Sequence, residues 1–499
     1  MADVILVKLE SIDSEEDIRG FHPPFSILYL ASALENEGFS LKVMHEEATE
    51  VNIKALLDLI FREKPALIGF SVLTGPQIIP SLEASKKIKE KFNIPIIWGG
   101  IQPTLLPELT LQKDFIDIIA IAEGECTLVE LTQIYTQGKA KSYPLEKVAG
   151  ICFKKNGQLI FTASRPFIKD LDAYRAAWHY LDIERYIKPE IYLDLKLGGG
   201  DRAIAINTSR GCPWRCGYCY NVAFNKRLFR AQSASRVIKE IKEQTKRYDL
   251  SSIRFSDDHF FSNNARALEI ICHVDIPWTA TIRVDDLTRG GENFVSKIAE
   301  SNCAFLRCGA ESGSQRILDL MQKDIRVEQI IEAAELCHKF NVCIGFFFMM
   351  GFPGETWDDI LLTLDLIDEL ELIGENITAS LPSIFCPYPG APLLDIAIDN
   401  GFLAPSTLEA WGTTNDRIIR NTGNLPPYVD KRVDKVIEYL RIVRARDINS
   451  LFFSIVVRFF KRVARWRWKH RFFSVSIDLY LAYLGRWLLK KTGDKISRK

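Results

Sequence analysis

The chain has 499 residues, which at roughly 150 residues per domain predicts about three domains. Its composition of 47% hydrophobic and 26% charged residues excludes a disordered, collagenous or small disulfide-framed chain. Sixty-four basic residues balance 64 acidic ones, but the segment Arg458 to Lys499 holds 13 Lys/Arg against two Asp, so a tail of +11 follows a body of −11.

No apolar run reaches about eighteen residues, so no spanning helix is predicted. The N-terminus lacks the basic and apolar regions of a secretion signal. Eleven cysteines, several inside apolar runs (Cys152, Cys272, Cys343), fit a reducing cytoplasm.

Val4–Val7 reads as a buried strand, followed by Pro23-Pro24 and a helix that ends at Gly38. Strands are predicted at Leu41–Met44, Ala66–Val72, Ile94–Trp98 and Asp117–Ile121, with helices at Ile53–Phe61, Gln77–Phe92 and Thr127–Tyr135. This alternation predicts an α/β, doubly wound parallel sheet, Rossmann-like, over residues 1–138. Ligands of such sheets bind beyond the carboxyl ends of the strands. Ser71 to Gly75, Gly99 to Thr104 and Glu123-Gly124-Glu125 fall at those ends. Their glycines permit close backbone approach and their hydroxyls and amide offer neutral hydrogen bonds, although ordinary tight turns have the same composition. No GxGxxG opens the first helix, which disfavours a dinucleotide.

Residues 139–198 read as a bridge containing a hairpin about Asn156-Gly157, and Trp178-His179-Tyr180 as interdomain packing. Strands then recur at Ala203–Thr208, Ser252–Ser256, Trp278–Ile282, Phe305–Cys308, Val342–Met349 and Ile377–Ile384, with helices such as Arg236–Tyr248 and Val327–Phe340 between them. Six βα units over 199–400 predict a partial barrel with its chemistry at the strand carboxyl ends.

After the first of these strands come Cys212, Cys216 and Cys219 in a Gly/Pro loop. Three thiolates in one loop bind iron or zinc. A closed zinc site usually takes four ligands, and no fourth Cys or His lies close by, so an open catalytic centre is favoured. The Asp257-Asp258 pair has a divalent-cation reading, and Glu311 a helix-dipole one.

The Cys-x3-Cys-x2-Cys loop, with Tyr218 before its last cysteine, resembles the signature of the radical S-adenosylmethionine (SAM) superfamily. The resemblance implies that Cys212, Cys216 and Cys219 hold a 4Fe-4S cluster that binds SAM and cleaves it to a 5′-deoxyadenosyl radical. It also implies SAM contacts at Tyr218, Ser256, Asp257, Asp258, Glu311, Ser312 and Gly351. With the preceding domain, the chain resembles the cobalamin-binding members of that superfamily over about residues 1–400. Cobalamin contacts are implied at Ser71, Thr74, Gly99, Gly100, Gln102, Glu123, Gly124 and Glu125. Gln102 stands where the family often has His, and Lys8–Asp17 contains no His to serve as a lower cobalt ligand. A methylthio-transferring relative would carry three further cluster cysteines in the first domain, and only Cys126 precedes Cys152.

The expected function is therefore a cobalamin-dependent radical SAM enzyme, foremost a C-methyltransferase at an unactivated carbon. An oxidative cyclase or ring-rearranging enzyme, and more remotely an iron–sulfur or cobalamin sensor, are the alternatives. The expected partners are a small-molecule or lipid substrate and a one-electron donor such as flavodoxin or ferredoxin, with no nucleic acid. No catalytic side chain is assigned. Residues 401–499 form a helical region whose basic, aromatic tail Leu451–Leu489 reads either as a cap on the barrel or as an interfacial membrane segment on the cytoplasmic side.

Overall fold

The computed structural model describes residues 1–11, 22–138, 143–189, 191–192, 195–196, 201–414, 425–444, 451–474 and 478–479. Residues 12–17, part of the segment searched for a lower ligand, and 480–489 of the basic tail lie outside the described residues.

The first sheet contains β1 (Val4–Glu10), β2 (Leu41–Glu47), β3 (Leu67–Ser71), β4 (Ile96–Gly99), β5 (Ile118–Ala120), β6 (Ile151–Lys155) and β7 (Gln158–Phe161), in the order β2-β1-β3-β4-β5-β6-β7. The first five strands are parallel, and the β6–β7 hairpin closes one edge antiparallel. Alternation along β1 explains why both faces are covered: Val4 and Leu6 pack into one core, while Ile5, Val7 and Leu9 pack into the other. The helix Glu50–Glu63 starts where Thr49 accepts the amide of Asn52 at 3.2 Å. The strand order reverses between β1 and β3, so a crevice opens at their carboxyl ends.

A short β8 (Ile191–Tyr192) and β9 (Leu195–Lys196) lead to β10 (Ala203–Ile206), β11 (Ser209–Arg210) and β12 (Arg230–Ala231). The second sheet continues with β13 (Ser252–Phe255), β14 (Trp278–Ile282), β15 (Cys303–Glu311), β16 (Ile344–Met350), β17 (Ile377–Ala379) and β18 (Ser383–Ile384). Its order β10-β13-β14-β15-β16-β17, all parallel, is the expected six-unit partial barrel.

The last predicted strand, Ile377–Ile384, is split in two, and both parts pair with β16. The hydroxyl of Ser380 accepts the Phe348 amide at 3.1 Å in place of a ladder carbonyl, and Pro382 has no amide to donate. β15 runs further than predicted and carries Glu311 at its end.

Trp178 joins the two halves. Its ring meets Phe25 edge-on at 5.8 Å and its indole donates to Glu240 at 2.9 Å. The C-terminal helix Leu451–Lys469 packs beside the helix Val433–Arg444.

Candidate functional site

The cysteine loop leaves β11 through Gly211, whose φ of +78° is left-handed and where a Cβ would lie 2.1 Å from the Leu228 carbonyl. Asp258 accepts the Gly211 amide at 3.0 Å, and Met321 accepts that of Gly217 at 2.7 Å. The loop is thus fixed to neighbouring barrel units. Cys216 is buried, while Cys212 and Cys219 are half-buried. Burial pushes the Cys212 thiol up to about 11 and the Cys219 thiol up to about 12. Among the described residues no group of three His, Cys, Asp or Glu is gathered around a point that holds a single ion. The three thiols on one pinned loop, with a cationic donor beside Cys216, fit a multi-iron cluster. That donor is Arg283, which approaches the Cys216 sulfur at 3.5 Å and lies 4.0 Å over the Trp214 ring.

Beside the loop, Glu311 accepts from Lys323 at 2.7 Å and from the Tyr218 hydroxyl at 2.9 Å. They meet at a crowded strand end: Glu311, the last residue of β15, has a φ of +67°, and a Cβ at Gly309 would meet its carboxylate at 2.1 Å. Desolvation opposes the charge on Lys323, but Glu311 overrides it and holds the ammonium above its ordinary range.

The other residues expected to contact SAM are placed differently from one another. Asp258 and the strand-end Ser256 are open, and Asp258 lines the central cavity. Asp257 is buried, and its Oδ1 accepts the amide and hydroxyl of Thr208, each at 3.0 Å, together with the Ser209 hydroxyl. Burial pushes its carboxyl up despite these donors. Its side chain therefore holds the strand end that leads into the cysteine loop. Ser312 is likewise buried against the Thr363 hydroxyl at 3.1 Å. Gly351 donates to Glu355, and burial holds the Glu355 carboxyl up at about 7.

The cavity, about 290 Å³, lies between the two sheets. Its wall brings together Ser71, Gly99, Gly100, Glu123, Gly124 and Glu125 of the first domain with Asn207, Ser209, Arg210, Tyr220 and Asp258 of the barrel. Gly100 sits at φ +100° with Val72 O only 2.8 Å from where a Cβ would be, so the β4 end folds flat against the β3 loop. Thr74 and Gln102 do not line this cavity, but the Thr74 hydroxyl and both amide atoms of Gln102 are buried without a protein partner. Unsatisfied neutral groups behind a glycine-lined cradle fit a large cofactor carrying amides, as cobalamin does. Among the described residues no histidine lines the cavity.

Glu123 and Glu125 are already engaged. Arg210 donates to Glu123 at 2.8 Å and to Glu125 at 2.6 Å, and Arg230 donates to Glu123 at 2.7 Å. Arg210 also lies 4.9 Å over the Tyr29 ring, whose hydroxyl donates to Asn207 O at 2.8 Å. The two carboxylates tie the first domain to the residue preceding Gly211-Cys212. Arg210, Arg230, Arg283 and Lys323 were not legible as site residues. Only the adjacency of Arg210 to the cysteine loop offered a signal.

Comparisons with known proteins identify the two domains that meet at this cavity. Residues 206–367 match the radical SAM superfamily and residues 16–132 match the B12 binding domain. An uncharacterized methyltransferase of Pyrococcus horikoshii is 29% identical over 83% of this chain and 86% of its own length. An anaerobic magnesium-protoporphyrin IX monomethyl ester cyclase of Rubrivivax gelatinosus is 26% identical over 68% of this chain, which spans 61% of the cyclase. In fold, the chain resembles the cobalamin-dependent SAM radical enzyme OxsB, solved with aqua-cobalamin, with a TM-score of 0.70 at 16% identity over 98% of this chain and 75% of that one. It also resembles the radical SAM methyltransferase TsrM of Kitasatospora setae, solved with cobalamin and a 4Fe-4S cluster, with a TM-score of 0.61 at 17% identity over 80% and 75%. The chain therefore carries a B12 binding domain followed by a radical SAM domain, and its cofactors are a 4Fe-4S cluster, SAM and cobalamin.

Proposed function

We propose that this cobalamin-binding radical SAM enzyme is a C-methyltransferase acting at an unactivated carbon. The observation that carries the reading is the single cavity whose wall is shared by the glycine cradle at β4 and by Tyr220 and Asp258 beside the cysteine loop. A substrate held there reaches both cofactors without crossing solvent, which is the geometry that transfer between them requires.

When bound, the cluster supplies the electron that cleaves SAM, and cobalamin supplies the methyl group. The chain's own residues bind and orient. Cys212, Cys216 and Cys219 would hold the cluster, and the carboxylate of Asp258, which lines the cavity and also accepts the Gly211 amide, suits the SAM ammonium. Tyr218 and Glu311 present a hydroxyl and a carboxylate, held in place by Lys323, for the SAM sugar. Gly99 and Gly100 with Ser71 would bear the corrin, with Thr74 and Gln102 packed behind them. Phe25, Leu73 and Phe224 keep much of the wall apolar and so exclude water. A flavodoxin or ferredoxin delivers the electron.

The similarity to the anaerobic cyclases supports a second reading, oxidative cyclisation in the same cavity. Product mass separates the two. Anaerobically reconstituted enzyme, supplied with host extract and SAM, is expected to give a product heavier by one methylene, together with both 5′-deoxyadenosine and S-adenosylhomocysteine. A product lighter by two hydrogens, formed without S-adenosylhomocysteine, would establish cyclisation instead.

A further inference from the structure

The helix Leu451–Lys469 shows two faces in its described part, at about 100° per residue. Lys461, Ala464, Arg467 and Trp468 share one side and are buried. Trp468 donates its indole hydrogen to Asp368 at 2.6 Å, and the following Arg471 bridges to Asp365 at 2.6 Å and to Asp368 at 2.7 Å. Phe473 fills the space between Trp357, Tyr439 and Trp468, with centroids 6.0, 5.7 and 6.2 Å away. This side is the cap on the barrel, and it accounts for only half of the helix.

The opposite side points to solvent. Phe459 is 60% exposed, Trp466 54% and Phe472, just past the helix, 41%. Trp466 and Phe472 meet edge-on at 6.2 Å, so they form one aromatic ridge rather than scattered side chains. Arg462, Arg465 and Lys469 flank the ridge, are exposed, and make no ion pair among the described residues. The sequence contains no Asp or Glu from Ile448 to Ile477, although the body of the chain is acidic. No described helix is long and apolar enough to cross a membrane.

We propose that this face docks on an anionic phospholipid bilayer. The helix lies in the plane of the headgroups, with Phe459, Trp466 and Phe472 at the acyl boundary and the three cations at the phosphates. The cationic flank selects the occupant: aromatic side chains alone would fit many apolar surfaces, but a ridge bordered by unpaired cations with no acid in its segment fits a negatively charged, laterally extended one. The inner ion pairs with Asp365 and Asp368 keep the helix on the body, so docking positions the whole enzyme rather than a detached tail. The inference is independent of the reaction catalysed.

The test uses the full-length, cluster-loaded protein and sedimentation with phosphatidylcholine vesicles with and without phosphatidylglycerol. Binding to the anionic vesicles alone, weakening as salt is added, is the expected result. Replacing Arg462, Arg465 and Lys469 together by Gln should weaken it roughly a hundredfold. Phe459→Ser with Trp466→Ser should also weaken it, with a loss that salt does not reproduce. Both variants should keep the cluster absorbance of the parent, since neither touches the inner side. Absence of any vesicle-bound fraction at low salt would overturn the proposal. So would binding unchanged in either variant, or a dimer in solution that the aromatic variant dissolves.

Discussion

The two mouths that face each other across the central cavity are built from different chemistry. At the ends of β3 and β4 the first domain offers backbone, glycines, a serine and neutral groups without partners. Around the ends of β11, β13 and β15 the barrel offers thiols, carboxylates and a buried lysine, with Asp258, Glu311 and Lys323 each held by a named donor or acceptor. The difference follows from what each must hold. A corrin is recognised over a wide area by shape and amide hydrogen bonding, so flatness matters more than any single side chain. A cluster and the charged SAM it binds are recognised through a few strong ligands in fixed geometry, so each residue matters individually. Substitutions on the two sides should therefore fail in different ways.

The largest effect is expected on the barrel side. Cys216→Ala should abolish the brown absorbance and reduce SAM cleavage to background, while cobalamin titrated into the protein still binds. Loss of cobalamin binding as well would show that the two mouths do not form independently. On the opposite side, Gly100→Ala places a Cβ against Val72 O at 2.8 Å in a left-handed conformation, at a cost of about 1–3 kcal/mol. Cobalamin affinity should fall roughly tenfold or more, with iron content and SAM cleavage retained. The absorbance of bound cobalamin against that of the cluster reads both in one sample.

Arg210→Gln acts on the tie between the mouths. It leaves Glu123 and Glu125, which are 9% and 5% exposed, without their shared cation. The expected destabilisation is a few kcal/mol, seen in thermal unfolding. Transfer should suffer more than SAM cleavage, giving 5′-deoxyadenosine without product. If product and cleavage fell in proportion, the clamp would serve stability alone.

The smallest effect is a pH dependence at the loop of Gly351. Burial raises the Glu355 carboxyl from 4.5 to about 7. The folded protein therefore holds a proton there that the unfolded chain has lost, and stability falls as pH rises between those values. Glu355→Gln removes the ionisation. Its melting temperature relative to the parent should rise from below pH about 4.5 to above about 7. A constant difference across that range would mean that the carboxyl does not titrate there.

Local sequence determined much of this protein. Hydrophobic alternation and run length specify the strands of both sheets because side-chain direction in a strand has a period of two, and β1 sends alternate residues into two different cores. The cysteine loop and the glycine turns were legible because ligand spacing and left-handed backbone are local properties. Ser71, Gly99, Gly100, Glu123 and Asp258 were legible too, since strand ends follow from the strands themselves.

Residues that act across a distance in the chain were not. Arg210 meets Glu123 across 87 positions, and Lys323 reaches Tyr218 across 105. No periodicity records such pairings, because a charge in sequence looks the same whether it will be solvated or buried against a partner. For the same reason the sequence left Asp257 and Asp258 equivalent. Only the packed strand ends turn Asp257 inward to Thr208 and Ser209 and leave Asp258 open to the cavity. Composition likewise showed a basic, aromatic tail but not its division. Packing the helix Leu451–Lys469 on the barrel decided that Trp468 is buried and Trp466 is not, since burial is a property of what lies opposite.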